Sequence, residues 1–547
     1  MKQFWNNLET ISPQFKDMIA DLLPSQSEQE SFFQAFQQSL KKSLSINRHR
    51  DANFEDNNPD FILSPSPFHE VKDTKYIDRE DTSIALGKTR QHLTGQFYIQ
   101  EVAASLPANI LKSELAKQRC SDIANQPANS PTDQLTNSPI RILDLCAAPW
   151  GKTAQLADFL LTHDIPGVVR GNDVDAKRLS TRASNIQRCG LYNTVATKLD
   201  GSQIGNLYPE YFDAILVDAP CSGEGTGFKS DAAYKWWKSE SINKIVWLQE
   251  HIVTSAIKAC KPGWIIIYST CTLNPFENEM QITKLLEKYG DTLDILPIDI
   301  ENKSPWFNLT LVPSPLREGW PQDFLPSLKG EGLGMRYLRC RPHIHHTGWF
   351  FVCVMRKQHS TLKPLQEHIT KKKKEYAKQS VKTPFSYNKQ GENTVKKVLQ
   401  ECFWIELDMK KHAITEWKHK LNLTDASVRD ILEAGVRLHE CGVPLMKPTG
   451  KTFSIEHECA IALWHLATKN TIELTTEELQ RYCLGEDIPL NVIATKEAIH
   501  SEWKENRLQN YSHNPLCNGY VILIHHGLWV WVGKVIDGMI KNKFMKW

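Results

Sequence analysis

The 547-residue sequence predicts an α/β protein: a mostly parallel, doubly wound sheet with helices on both faces, preceded by an α+β region and followed by a smaller unit. Three observations predict it. Strand-length apolar runs alternate with helical patterns from about 140 to 357, the signature of strands joined by crossover helices. The run Ile142, Leu143, Leu145 passes through the small residues Cys146, Ala147, Ala148 and Pro149 into a helical pattern at 153–161, and a strand, tight turn and helix in that order offer backbone N–H groups to a ligand. Four acids, Asp144, Asp173, Asp200 and Asp218, fall at or just past strand ends, which in such a sheet share one rim.

A chain of this length exceeds one ordinary core, so three or more units are expected. The boundaries drawn are 1–110, 111–357 with polar insertions at about 119–139 and 313–334, a basic linker at 358–390, and 391–547. The net charge of +2 neither requires nor excludes nucleic acid; local clusters carry that question. The 13 cysteines are an odd number without a Cys-x-x-Cys pair, which points to reduced thiols and away from a disulfide framework or zinc. No signal core and no 18-residue apolar window is present, so a cytoplasmic protein without a membrane span is expected.

In chain order, the N-terminal region mixes helical patterns with a basic and apolar stretch at 41–50, suited equally to an RNA-facing edge and to a solvated face. Residues 96–106 read as a helix, and the Asn, Pro, Ser and Thr content of 119–139 reads as a disordered insertion. The second strand at 167–174 ends in Asp173, with Asp175 placed to cap the helix 176–188. The third strand runs to Asp200, the fourth to Asp218, and a helix at 242–260 ends at Lys261-Pro262-Gly263 before a fifth strand at 264–271. Asn274, Pro275 and Glu277 have the spacing of an N-cap, first helical position and capping box. The segment 348–355 returns to strand character and is expected to close the sheet, and Lys371 to Lys374 form a basic run read as solvated linker or phosphate contact. Beyond 391, helical patterns and short strands suggest an accessory unit with a β-barrel component.

The acid at the end of the second strand suits a ribose diol, and the one after the third an adenine amino group. No Gly-x-Gly-x-x-Gly follows the first strand and no phosphate loop occurs. An adenosine ligand therefore need not carry phosphate, and S-adenosylmethionine is the candidate. Two cysteines follow strands on the same rim: Cys221 in Asp-Ala-Pro-Cys-Ser-Gly-Glu-Gly and Cys271 in Tyr-Ser-Thr-Cys-Thr-Leu-Asn-Pro. A free cysteine is most often a small buried hydrophobe, but both of these sit in polar turns. Carbon 5 of cytosine is too poor a nucleophile to take a methyl group unaided, whereas a thiolate added to carbon 6 makes it enamine-like. A thiol of pKa ~8.5 is mostly protonated at neutral pH, so the site must favour thiolate or couple attack to ring protonation. Asp218, protonated or sharing a proton with ring nitrogen 3, would stabilise the developing charge, and a second thiol would assist release.

Cys-Ala-Ala-Pro-x-Gly-Lys-Thr at 146–153, Asn-Asp-Val-Asp at 172–175, Leu-Asp-Gly at 199–201 and the two cysteine motifs resemble, in order and spacing, the RsmB/Nop2/Sun family of RNA cytosine-C5 methyltransferases. Residues 93–101 and 453–463 are similar to its bacterial RsmF branch, which acts on small-subunit ribosomal RNA. The resemblance implies a Rossmann-like class I methyltransferase sheet, Cys271 as nucleophile, Cys221 as the product-release cysteine, Asp218 at the cytosine and Lys152 near the reacting centre. It implies cofactor contacts from Cys146, Ala147, Ala148, Pro149, Trp150, Gly151, Lys152, Asp173, Asp200 and Asp218, and no metal. It also implies a PUA-like C-terminal module with Gly533 and Lys534, and a monomer whose partner is RNA, with ribosomal RNA or the small subunit favoured over tRNA. Lys229 matches a family lysine, while Phe228 replaces an arginine. Trp150 stands where the family has glycine, as do Trp264, Trp349 and Trp529, and so regular an exchange suggests a systematic feature of this sequence. In the turn, Trp150 either blocks the cofactor, points outward or stacks on it. If it blocks, the chain is a non-catalytic RNA-binding or ribosome-assembly protein; a thiol hydrolase using Cys221 is a third reading, with no histidine tied to either thiol by motif.

Overall fold

The computed structural model describes residues 11–541 except 24, 69–70, 125–137, 227–233, 235–236, 299–336, 363–385, 418, 434–437, 450–451, 468–469, 484–485, 490–518, 526–527 and 538. Phe228, Lys229, Lys371 to Lys374, the insertion at 313–334 and most of that at 119–139 lie outside the described residues. The chain divides into two compact units, one of 1–82, 98–179 and 197–376, the other of 83–97, 180–196 and 377–547.

In the first unit, helices α1 (Pro13–Leu22) and α2 (Gln26–Gln37) precede a four-stranded sheet in the order β2-β3-β1-β4, from β1 (Ser43–Ile46), β2 (Phe61–Pro65), β3 (Thr74–Arg79) and β4 (Phe97–Ile99). Helix α3 (Val102–Ala124) follows. The helix expected over 96–106 is therefore two elements. Phe97 is fully buried while Ile99 is exposed, and the Gln100 N–H reaches the Ser43 carbonyl at 3.3 Å, so this stretch is drawn into the sheet and helix begins only at Val102.

The large sheet contains β5 (Ile140–Asp144), β6 (Gly167–Asn172), β8 (Phe212–Asp218), β9 (Cys260–Thr270), β10 (Leu293–Leu296), β11 (Tyr337–Cys340) and β12 (Phe350–Lys357). Its order runs β10-β12-β9-β8-β5-β6, with β11 also paired to β12. The pairs β6 with β5, β5 with β8 and β8 with β9 are parallel, whereas β12 runs antiparallel to β9 and β10 antiparallel to β12. The strand from 348 thus does not close the sheet; β10 lies outside it. Between the strands lie α4 (Gly151–Thr162), α5 (Ala176–Arg188), α6 (Ser239–Ala259) and α7 (Glu279–Tyr289). On β8, Ile215 and Val217 pack against Ile252, Val253, Ala256 and Ile257 of α6, while Ala214 and Leu216 between them are also buried. Both faces are covered, which is why these strands read as continuous apolar runs.

The expected capping box at Asn274 is only half formed. Asn274 Oδ1 accepts from the Glu277 N–H at 3.0 Å, but regular helix begins at Glu279 with Asn278 as N-cap, because the Glu277 carboxylate turns away to bind Ser222. Asp175 caps its helix as expected, accepting from the Lys177 N–H at 2.7 Å.

The second unit holds two five-stranded sheets. One has the order β13-β14-β15-β17-β18, from β13 (Ser386–Tyr387), β14 (His412–Trp417), β15 (Lys420–Asp425), β17 (Val443–Thr449) and β18 (Thr452–Ile455). Between β15 and β17 comes the short β16 (Glu440–Cys441), paired instead with β7 (Thr194–Thr197). The other sheet has the order β19-β21-β22-β23-β20, from β19 (Thr471–Glu473), β20 (Ile488–Pro489), β21 (Tyr520–His525), β22 (Leu528–Ile536) and β23 (Met539–Lys541). Among the described residues ten cysteines are free thiols, but Cys402 is disulfide-bonded, a departure from the all-thiol expectation. Among the described residues, no helix is long and apolar enough to cross a membrane.

Candidate active site

The site is assembled where the parallel strands end. After Asp144 the chain turns through a cis Ala148–Pro149 bond into α4. The turn is pinned on three sides: the Leu145 N–H donates to Leu216 O at 2.9 Å, the Ala147 N–H to Asn172 O at 2.8 Å, and Tyr98 Oη to Pro149 O at 2.6 Å. Arg178 Nη2 reaches Ala148 O at 3.3 Å.

Trp150 does not point outward. Its backbone is left-handed, with φ 74° as the residue capping α4, and its side chain is 1 % exposed. The ring fits under the turn only because residue 171 is glycine, where a Cβ would lie 2.4 Å from Trp150 Cζ3. The cost is visible: bulky residues at positive φ are strained, and Trp150 Nε1 is buried without a hydrogen-bond partner.

Asn172, which the motif contained but to which no role was given, ties three strand ends together. Its Nδ2 donates to Leu145 O at 3.2 Å and Leu199 O at 3.0 Å, and its Oδ1 accepts from the Leu199 N–H at 3.1 Å. Asp173 and Asp200 are thereby held near the cofactor turn. Asp173 accepts from the Asp175 N–H at 2.9 Å and lies 3.5 Å from the Arg178 guanidinium; Asp200 is exposed and accepts from the Ser202 N–H at 3.0 Å. Asp144 takes the Thr153 hydroxyl at 2.6 Å on one oxygen, while the other is buried without a partner. Burial, with Asp218 and Asp173 nearby, pushes the Asp144 carboxyl up to about 7. The Cys146 thiol is likewise pushed far up, by burial and then by the Asp144 carboxylate, so it is held as a neutral wall of the turn.

The candidate catalytic residues come together one strand further on. Lys152 Nζ donates to Asp218 Oδ2 at 2.6 Å, and Ser269 Oγ to Asp218 Oδ1 at 3.0 Å. Burial opposes the Lys152 ammonium, yet the charges of Asp218, Asp144 and Cys271 outweigh it and the pKa is raised. Asp218 is the ion-pair partner of Lys152. The thiols Cys221 and Cys271 face each other at 3.3 Å between sulfurs, both half-buried. The Cys221 thiol is pushed well up, first by its hydrogen bond to Cys271 and then by burial. Glu224, to which the motif gave no role, and Glu277, read only as a capping-box residue, lie wholly buried behind these two loops; the sequence signal for a role at the thiols is no more than an acid within otherwise small-residue and apolar motifs.

Residues 134–356 match the family described as 16S rRNA methyltransferase RsmB/F. Over 486 residues the chain is 30% identical to the ribosomal RNA small subunit methyltransferase F of Erwinia tasmaniensis, covering 87% of this chain and 88% of that one. The Escherichia coli protein of the same name is 30% identical over 478 residues, with coverages of 87% and 88%. That of Vibrio parahaemolyticus is 28% identical over 538 residues and covers 97% of this chain and 96% of its own. With its strand-end acids, its Lys152–Asp218 pair and its two facing thiols, the chain belongs to the RsmB/Nop2/Sun family of RNA methyltransferases, in the RsmF branch.

Proposed function

We propose that this protein methylates carbon 5 of a cytosine in small-subunit ribosomal RNA, with Cys271 as nucleophile. The observation that carries the reading is the pair of thiols 3.3 Å apart on the loops after two adjacent parallel strands, next to the Lys152–Asp218 pair. The cofactor is S-adenosylmethionine, which supplies an electrophilic methyl group. The donor set fits this cation: Asp144 carries an orphaned buried oxygen, and the burial that raises its carboxyl, with the nearby acids adding to it, is offset by a positive charge beside it. Residues Cys146 to Lys152, with Asp173, Asp200 and Asp218, would hold it, Asp173 suiting the ribose diol and Asp200 the adenine.

In this reading Cys271 Sγ bonds to carbon 6 of the ring, and the displaced π electrons make carbon 5 nucleophilic. Asp218, held by Lys152 and Ser269, sits where it can pair with the polar edge of the base as charge develops. After carbon 5 takes the methyl group it gives up its proton to a base, the electrons restore the ring double bond, and the carbon–sulfur bond breaks to return the Cys271 thiolate. Cys221, kept as a thiol, assists that release. Drawing the base from its stack, the chain would act as a cytoplasmic monomer, its C-terminal unit serving as a PUA-like RNA-binding module around Gly533 and Lys534. The inward, packed position of Trp150 favours this reading over a non-catalytic one.

With methyl donor and RNA supplied, Cys221→Ala is expected to trap a covalent RNA adduct, and Cys271→Ala to abolish both adduct and methylation. The reverse pattern moves the nucleophile to Cys221. Bisulfite sequencing of ribosomal and transfer RNA, with and without the gene, identifies the substrate: a cytosine lost from tRNA alone would overturn the ribosomal assignment.

A further inference from the structure

We propose that Glu224 and Glu277 are positioning residues that clamp the Cys221 loop to the Cys271 loop and, by setting a carboxylate behind Cys221, reserve thiolate chemistry for Cys271. This rests on the two-thiol reading above and extends it to residues that touch neither substrate nor cofactor.

Both side chains are completely buried, and each is bound from both loops at once. Glu224, on the Cys221 loop, accepts from the Leu273 N–H at 2.8 Å and from the Thr272 hydroxyl on the other loop, as well as from Trp237 Nε1 at 2.5 Å. Glu277, on the far side, accepts from the Ser222 N–H at 3.1 Å and the Ser222 hydroxyl, and from Gln249 Nε2 at 2.7 Å. Three groups join the carboxylates. Asn274 Nδ2 lies 3.1 Å from Glu224 Oε1 and 2.6 Å from Glu277 Oε1, and Ser222 Oγ and Thr272 Oγ1 each reach both. A carboxylate taken out of water is costly unless its lone pairs are filled. Here the donors that fill them come from opposite loops, so displacing either loop strands a buried charge. That coupling holds the two sulfurs in register.

The same arrangement treats the two thiols differently. The titratable groups facing Cys221 are Cys271, Glu277 and Tyr268; the Cys271 side chain and the charge of Glu277 disfavour its thiolate, and the Tyr268 phenol, itself raised by burial, stays neutral. Cys271 instead lies in the field of the Lys152 ammonium, whose pKa it helps to raise. Burial and the charge of Glu277 also push the Glu224 carboxyl above its usual range, which leaves Glu277 as the member of the pair whose charge bears on Cys221.

The test uses the full-length chain and no substrate. Iodoacetamide labelling across a pH series, read peptide by peptide in the mass spectrometer, gives the rate at each thiol. In Glu277→Gln the midpoint for Cys221 is expected to fall by about half a pH unit or more, with the Cys271 rate changed less than about twofold. An unmoved Cys221 midpoint overturns the proposal. Ser222→Ala, which removes one bridging hydroxyl and keeps the fold's backbone contacts, is expected to lower single-turnover methyl transfer about tenfold with RNA and cofactor dissociation constants unchanged; equal losses in binding would make the pair merely structural. If Glu277→Gln leaves labelling unaltered while Cys221→Ala still traps an adduct, the clamp fails and the two-thiol reading stands. If Cys271→Ala retains methylation, that reading fails whatever the labelling shows.

Discussion

The packing of Trp150 on Gly171 makes a prediction that reaches the cofactor turn from behind. Replacing Gly171 by alanine would set a Cβ 2.4 Å from Trp150 Cζ3 and 2.6 Å from Cη2, against ordinary carbon contacts of about 3.5–4.0 Å. The ring, 1 % exposed, must retreat by about an ångström into a filled core. Overpacking of this kind costs about 1–3 kcal/mol, or roughly 1–4 °C in the melting temperature of a unit this size. Trp150→Gly is different, because its terms oppose one another. It forfeits about 3–5 kcal/mol of packing, but relieves about 1–2 kcal/mol of left-handed strain and about 1–3 kcal/mol from the orphaned indole N–H. The net change should be small. In that background Gly171→Ala meets no ring and part-fills the hole, so it should be neutral or stabilising. The assay is a double-mutant cycle on thermal unfolding, with calorimetry of S-adenosylmethionine binding alongside, and the expected coupling is at least about 1 kcal/mol. Equal destabilisation by Gly171→Ala in both backgrounds would refute the packing argument. Restored or tightened cofactor binding in Trp150→Gly would show that the ring presses on the turn it underlies.

Asp144, raised to about 7 by burial from an unfolded value of about 3.9, contributes stability that is complete below about pH 4 and is lost as pH rises through about 7; Asp144→Asn should flatten the unfolding free energy across that window, and an unchanged slope would mean the carboxyl is not the source. Lys152→Met leaves Asp218 half-buried beside an apolar side chain and should cost about 3–5 kcal/mol, part of which Lys152→Met with Asp218→Asn recovers; chemical denaturation of the four proteins tests this, and additive losses would count against a shared ion pair. Trp404 ends the helix Lys389–Phe403 with φ 54° and is 59 % exposed, so Trp404→Gly should stabilise the second unit by about 1 kcal/mol, seen as slower amide exchange in that helix.

What could be read in advance was whatever the chain states locally. β8 was bounded by its apolar run and the acid at its end, and the two thiols were placed on one rim because each directly follows a strand. The stretch 96–106 departs from its helical reading for the complementary reason: a three-residue strand, Phe97 to Ile99, is too short to show a period-two pattern against the helical pattern that follows. The remaining errors and omissions concern partners distant in sequence. Asn172 earns its place by holding Leu199 and Leu145, each 27 positions away, and Glu277 by reaching Ser222 across 55 positions. Glu277 illustrates the limit most clearly, because its local spacing announced a capping box and its N–H keeps half of that bargain with Asn274. Its carboxylate goes instead to the loop of Cys221, where a buried charge has more donors to satisfy it than a helix end exposed to water could offer. A local motif was thus diverted by a stronger long-range demand, and the site of that diversion is where the two thiols face each other.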